Sequence, residues 1–123
     1  MEFLHTNNAP SAIGPYSQAV KVNGMLYTSG QIALTTDGEM LENNIEIQTK
    51  QVFKNIKAIL DDNKSSINNI IKVNIFLIDM NDFAVVNTIM AEVFGEHKPV
   101  RSTIEVKGLP KNAMVEMDII AIV

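Results

Sequence analysis

The chain has 123 residues, 46% of them hydrophobic, which suits one folded domain over residues 1–123 and excludes a disordered linker protein. The net charge is −4 and the ten Lys and Arg residues are scattered, so nucleic acid is disfavoured as a partner and an anionic membrane surface is not expected. Cysteine is absent, which excludes disulfides and thiolate chemistry, and the first residues lack signal-peptide features, so we expect a cytoplasmic protein.

The first predicted elements are a β-hairpin and a helix. Two short strands, Gln18 to Val22 and Met25 to Ser29, are joined by Asn23-Gly24, a dipeptide that favours a tight hairpin turn. From Ile45 to Leu60, apolar residues recur at helical spacing, with lysines on the opposite side. This pattern predicts an amphipathic helix.

The second half alternates between the two kinds of element. A strand is predicted from Ile70 to Ile78 and a helix from Asp82 to Phe94, where Gly95 follows as a stop signal. Two further strands, Arg101 to Val106 and Ala113 to Val123, complete the chain. The order of elements predicts an α+β fold with a mixed sheet and two helices on one face.

The predicted sheet has more apolar faces than two helices can cover. The strand at 70–78 and the last strand both place apolar residues on alternate sides, while the helices can pack on only one side. We therefore expect a second copy of the chain to cover the other face, in a closed homo-oligomer with sites near subunit boundaries. The alternative is a moderately apolar face left in contact with water.

Arg101 and Glu116 are charged residues in segments that otherwise resemble buried strands. A buried charge is costly unless it meets a partner or a ligand. Arg101 follows Pro99 in extended chain, and its guanidinium suits a carboxylate ligand, although a salt bridge with Asp118 or Glu105 is the structural alternative. Glu116 could carry a proton or position a water, or could itself be the partner of Arg101.

Two other stretches are predicted to meet at one edge of the sheet. The hairpin brings residues 14–18, which include Tyr16, close to Ser29 and Gly30. The hydroxyl groups and the Gly30 amide could contact a ligand there, although each also has an ordinary loop or turn role. Asn87, on the apolar side of the second helix, is expected to be a buried amide with a structural role first.

Other common site types are missing from the sequence. His5, near a chain end expected to be mobile, and His97 have no second ligand at a suitable spacing, so no metal site is expected. No glycine loop for phosphate and no nucleophile elbow occurs, and Thr35 to Met40 are expected to form a turn.

Four blocks in order, GPYSQAV, LYTSGQI, KPVRSTIEV and LPKNAMVEMDIIAI, resemble the Rid family of reactive-intermediate deaminases. The resemblance extends from Asn8 to Val123. It implies a chorismate-mutase-like fold, a homotrimer whose inner sheet surfaces form a barrel, and three sites in clefts between subunits. It also implies that the last strand lies centrally in the sheet and that no cofactor is needed.

The same resemblance assigns roles to individual residues. Arg101 matches the carboxylate-binding Arg and Gly30 the glycine whose amide faces the ligand, while Glu116, Tyr16 and Ser29 match the catalytic positions. Apart from these matches, Asn87 and Thr103 are included in the candidate substrate-binding set, and no metal ligand is included. Thr103 stands where many members have Cys, and Met90 where many have Tyr, which puts the substrate preference in doubt.

The expected reaction is hydrolytic deamination of small 2-imino or 2-enamino acids, such as 2-iminobutanoate or 2-iminopropanoate, to 2-oxo acids and ammonia. The expected partners are therefore a small-molecule 2-imino or 2-oxo acid and copies of the same chain in a homotrimer. The main alternative is a regulatory protein that senses a 2-oxo acid or amino acid in the same cleft without turnover. Ribonuclease activity ranks below both, because the chain is acidic and lacks a basic stripe.

Overall fold

A six-stranded sheet and two helices make up the fold of residues 1–123, all of which the computed structural model describes. The strands are β1 (Glu2–Leu4), β2 (Ala19–Val22), β3 (Met25–Thr28), β4 (Ile70–Leu77), β5 (Val100–Glu105) and β6 (Val115–Ile122). The helices are α1 (Ile45–Asp62) and α2 (Phe83–Phe94), with short 3₁₀ turns at Ile67–Asn69, Met80–Asp82 and Pro110–Asn112. The strand order is β1-β2-β3-β6-β4-β5, and only β4 and β5 run parallel.

The predicted α+β class and the central position of the last strand are confirmed, because β6 lies between β3 and β4. The hairpin is also confirmed, since Asn23 and Gly24 take the left-handed φ values of 50° and 76° that its tight turn requires. The expectation of a mobile N-terminal end is wrong. Residues 2–4 form β1, which pairs with β2, and three residues are too few to show a strand period in sequence.

Local sequence explains where both helices begin or end. Asn44 caps α1, since its side-chain oxygen accepts a hydrogen bond of 3.0 Å from the backbone N–H of Ile47. Gly95, with a φ of 58°, ends α2 in a conformation that most other residues adopt only with strain. Between the helices, the rings of Phe53 and Phe94 pack edge to face with centroids 5.8 Å apart.

The helices cover one face of the sheet and leave the other open. Val73, Ile75 and Leu77 of β4 are buried beneath them, together with the alternate residues of β6. On the opposite face, the side chains of Phe76 and Ile120 are only partly buried. Exposed apolar residues on that face are Phe3, Tyr27, Val100, Ile104 and Ile122. The prediction that two helices leave one apolar face of the sheet uncovered is therefore confirmed for one chain.

A buried glutamine holds the N-terminal loop against β2. The side-chain oxygen of Gln18 accepts from the N–H of Thr6 at 2.7 Å, and its amide nitrogen donates to the carbonyls of Thr6 at 3.0 Å and Pro10 at 2.8 Å. Gln18 is 2% exposed, so these groups have no water to replace the lost partner. The amide thereby fixes the loop that carries Tyr16.

We expect Gln18→Leu to lower the free energy of unfolding by about 2–4 kcal/mol, because it leaves several buried backbone groups without a partner. Urea unfolding followed by circular dichroism would measure the change. Lys57→Ala, on the exposed side of α1, is the control and should stay within about 0.5 kcal/mol of wild type. Equal stability of the Gln18 variant and wild type would contradict this role of the amide.

Candidate active site

Six of the seven predicted site residues are divided between two grooves of one chain, and the seventh lies outside both. The first groove has a volume of about 610 Å³ and is lined by Tyr16, Ser29, Gly30 and Glu116 among its residues. The second, of about 450 Å³, is lined by Arg101 and Asn87. Thr103 lines neither groove.

Gly30 lies against Glu116 because the chain after β3 runs beside β6. The N–H of Gln31 donates to the carbonyl of Met117 at 2.7 Å, and the N–H of Met117 donates back at 3.0 Å. A Cβ atom on Gly30 would lie 2.8 Å from Cδ of Glu116, which is closer than carbon atoms pack. The glycine is therefore required by the close approach of the carboxyl group.

The carboxyl group of Glu116 is half-buried, and no other side chain or backbone group forms a hydrogen bond or ion pair with it. Burial raises its pKa above the ordinary value of 4.5, and the charge of Asp118 raises it further. Asp118 is held by a hydrogen bond of 2.8 Å from the side chain of Asn74. A carboxyl group with a raised pKa can accept and return a proton nearer to neutral pH than an exposed one.

Two hydroxyl groups border the same groove. The Ser29 hydroxyl donates to the carbonyl of Ser17 at 2.5 Å, so its oxygen is left to accept a hydrogen bond from a ligand or water. The Tyr16 hydroxyl oxygen accepts from the N–H of Ile13 at 3.3 Å, and the side chain is 53% exposed. The phenolic proton of Tyr16 is therefore free to be donated.

Arg101 makes no contact with a carboxylate of its own chain. Its Nη1 donates to Oδ1 of Asn87 at 2.6 Å, and its guanidinium carbon lies 5.2 Å from the ring centroid of Phe83. Three acids were proposed as salt-bridge partners. Glu105 accepts from the N–H of Met80, Asp118 accepts from Asn74, and Glu116 makes no ion pair. The salt-bridge alternative is therefore wrong for this chain.

Two expectations about burial also need correction. Arg101 is exposed, because β5 is an edge strand of the sheet and most of its residues face solvent in one chain. Asn87 is exposed as well, because the core face of α2 is formed by Val86, Ile89, Met90 and Phe94. Helical periodicity alone assigned position 87 to the core face, whereas in the fold this position lies beside that face.

Thr103 lies two residues after Arg101 on the helix-covered face, beside Ile75 of β4. Its hydroxyl oxygen is buried and has no hydrogen-bond partner within the chain. Buried hydroxyl groups are normally paired, so this group has the capacity for a further contact.

Arg101 and Glu116 lie on opposite faces of the sheet. Arg101 pairs in register with Val73 on β4, which faces the helices, whereas Glu116 pairs with Phe76, which faces the open side. Paired residues share a face, and positions 73 and 76 differ by an odd number of residues. One chain therefore does not bring these two charged groups together.

Lys111 and Gln31 line the first groove and were missed by sequence reasoning. Lys111 and Asn112 have left-handed φ values of 54° and 56°, and the Lys111 ammonium donates to the carbonyl of Gly38 at 3.4 Å. Consecutive left-handed residues other than glycine are uncommon and concentrate near sites. The only sequence signal was Asn112, a residue type that tolerates this conformation.

No group of three or more His, Asp or Glu side chains is placed to hold a metal ion. No helix of this fold combines the length and the hydrophobicity needed to cross a bilayer.

Comparisons with known proteins match almost the whole chain. Residues 6–123 match the family model described as Endoribonuclease L-PSP. A crystal structure of YyfA from Yersinia pestis, a protein of the conserved Rid family, is 49% identical, covers 99% of this chain and 98% of its own, and superposes with a TM-score of 0.97. This chain belongs to the Rid family.

Two further relatives of this Rid-family chain carry names that bear on chemistry. A 2-iminobutanoate/2-iminopropanoate deaminase from Dermatophagoides farinae is 41% identical over 98% of this chain and 94% of its own. The crystal structure of E. coli TdcF with bound serine is 37% identical, covers 100% of this chain and 99% of its own, and has a TM-score of 0.94. The resemblance drawn from the four sequence blocks, and the Rid-type fold that it implied, are confirmed.

We expect Gly30→Ala to lower kcat/KM for the imine hydrolysis expected from the sequence by about 10- to 100-fold, because the new methyl group must push the Glu116 carboxyl group out of its position. Stability should fall by no more than about 1–2 kcal/mol, since the displaced atoms are the end of a flexible side chain. Gly108→Ala, where a Cβ atom would meet nothing, is the matched control. Full activity of Gly30→Ala would show that the carboxyl position is not critical.

Proposed function

We propose that this Rid-family protein hydrolyses small 2-imino and 2-enamino acids to 2-oxo acids and ammonia. The observation that carries the proposal is the guanidinium of Arg101, which is held by the neutral side chain of Asn87 and has no carboxylate partner in its own chain. A rigid cation of this kind is suited to grip the carboxylate of a small acid through two hydrogen bonds.

A complete site on this proposal needs two copies of the chain. Arg101 and Glu116 lie on opposite faces of the sheet, so one ligand would contact Arg101 of one copy and Glu116 of another. The open apolar face of the sheet supplies a surface on which copies can pack, and we propose a homotrimer with three such sites. Sedimentation of a single-chain species at micromolar concentration would contradict this assembly.

The proposed reaction begins with the substrate carboxylate bound to Arg101, which fixes the C=N carbon for attack. Glu116 accepts a proton from a water whose oxygen bonds to that carbon as the C=N double bond opens, and it passes this proton to the nitrogen, which gives a neutral carbinolamine. The Tyr16 hydroxyl and the Ser29 oxygen are placed to orient the water in the same groove. Glu116 then takes the hydroxyl proton of the carbinolamine as the C=O bond forms and the C–N bond breaks, and it gives this proton to the departing nitrogen, which releases ammonia and leaves a 2-oxo acid.

Two relatives support this choice of chemistry. The D. farinae protein is named as a deaminase of 2-iminobutanoate and 2-iminopropanoate, and TdcF was solved with serine, whose carboxylate and α-nitrogen have the same spacing as those of a 2-imino acid. The Gly30 amide beside Glu116 is a further polar group that such a ligand could use. Thr103 stays a predicted substrate-binding residue, and its hydroxyl is buried within the single chain.

The test generates 2-iminobutanoate in the assay from threonine with a pyridoxal-phosphate dehydratase and follows formation of 2-oxobutanoate by a coupled dehydrogenase. The protein should accelerate the step after the dehydratase, and ammonia should appear in equal amount. The same preparation is incubated with RNA, which should remain intact. Binding of 2-oxobutanoate without acceleration would favour the sensing alternative, and RNA cleavage lost in Arg101→Ala would favour a ribonuclease.

The cytoplasmic location expected from the sequence stays a prediction.

A further inference from the structure

The hydrogen-bond and ring contacts of the Arg101 guanidinium are all with uncharged side chains. Its Nη1 contacts Oδ1 of Asn87 at 2.6 Å and the sulfur of Met90 at 3.6 Å, and the Phe83 ring lies against it at 5.2 Å. All three contacts come from α2, which packs on the face of the sheet from which Arg101 projects. None of them cancels the positive charge.

The contacts are also confined to one nitrogen. Both polar contacts use Nη1, whereas Nε and Nη2 have no partner in the chain. These two nitrogens form one edge of the planar guanidinium, and their parallel N–H groups match the two oxygens of a carboxylate. The grip by α2 therefore leaves a complete bidentate edge free.

We propose that Asn87 is a positioning residue, which aims the Nε–Nη2 edge of Arg101 at the substrate carboxylate while leaving the charge of the guanidinium uncompensated. This inference rests on the proposed function and refines the role of Asn87, which the sequence analysis included in the candidate substrate-binding set. The side-chain oxygen of Asn87 is already occupied by Arg101, so it acts on the ligand through that residue.

The neutrality of Asn87 is the part of the proposal that can be tested most sharply. Aspartate has the same shape and would hold Nη1 at least as firmly, because a hydrogen bond between charged groups is stronger than one to an amide. It would also place a negative charge beside the bound anion, which repels the ligand and offsets the charge of Arg101. Aspartate at position 87 should therefore hold Arg101 more firmly and yet lower the affinity for the ligand.

The experiment compares Asn87→Asp, Asn87→Ala and Asn87→Ser with wild type. In Asn87→Asp, the affinity for 2-oxobutanoate measured by calorimetry should fall, and the KM for the imine should rise, by about tenfold or more, while kcat stays within about threefold of wild type. The loss in Asn87→Ala should be smaller, because the charge of Arg101 is kept while its aim is relaxed, and Asn87→Ser should lie between wild type and Asn87→Asp. Raising the ionic strength should reduce the loss in Asn87→Asp and leave that in Asn87→Ala nearly unchanged.

Thr88→Asp is the matched control, since it adds the same charge at an exposed neighbouring position of α2 and should bind like wild type. Asn87 is exposed, so the variants are expected to fold, and thermal unfolding checks this. An Asn87→Asp affinity equal to or better than that of Asn87→Ala would overturn the inference. If wild type binds the oxo acid but does not accelerate imine hydrolysis, the proposed function fails while the binding order of the variants still tests the role of Asn87.

Discussion

Replacing Arg101 by Ala is expected to lower kcat/KM for imine hydrolysis by about 100- to 1,000-fold, because the substrate carboxylate loses its only proposed cationic partner. Most of the loss should lie in KM and in the affinity for 2-oxobutanoate, since the residue binds and orients the ligand. The fold should be unaffected, because Arg101 is exposed and makes no ion pair within the chain. Coupled kinetics and calorimetry would measure the effect.

Two control variants separate the guanidinium from positive charge in general. Lys98→Ala removes another cation that lines the same groove and should change kcat/KM by less than about threefold. Arg101→Lys keeps the charge but loses the planar fork, so it should recover only part of the activity. Equal activity of Arg101→Ala and Lys98→Ala would refute the assignment of Arg101 as the carboxylate-binding residue.

Glu116→Gln is expected to lower kcat by about 100- to 1,000-fold, with a smaller effect on binding, because an amide cannot take the proton of the attacking water. The wild-type rate should fall on the acidic side as Glu116 becomes protonated, and the midpoint of that fall should lie above the ordinary carboxyl pKa of 4.5. This acidic limb should be missing from the residual activity of Glu116→Gln. Asp118→Asn should move the limb to lower pH, since it removes the neighbouring charge that raises the Glu116 pKa.

Glu116→Gln should be more stable than wild type at neutral pH. The pKa of Glu116 is raised in the folded state, so its protonation favours folding below the unfolded-state pKa, and this contribution is lost as the pH rises through the folded-state pKa. Glu116→Gln avoids that loss, and the gain should stay below about 1 kcal/mol because half of the side chain is screened by solvent. At pH 4 the two proteins should unfold alike in urea, and a neutral-pH loss of stability in the variant would contradict the assigned direction.

Patterns within single segments predicted most of the fold. The Asn23-Gly24 turn, the apolar period of α1 and the Gly95 stop depend on residues close together in sequence, and each element lies within a few residues of its expected bounds. The short strand β1 was missed because its formation depends on pairing with β2 rather than on its own three residues. The central position of β6 came from the family resemblance, since strand order is set by contacts between distant segments.

For the candidate site too, some features could be predicted from the sequence and others depended on contacts between distant segments. The sequence by itself determined which chemical groups the protein possesses: a guanidinium on a strand after Pro99, a carboxyl group on the last strand and a glycine after the hairpin. Tertiary structure decided that Gly30 touches Glu116, that Arg101 is held by Asn87 rather than by an acid, and that the two charges occupy opposite faces. The reason is physical: residue type sets what a side chain can bind, whereas strand register and helix rotation set which groups meet, and a shift of one residue reverses the face.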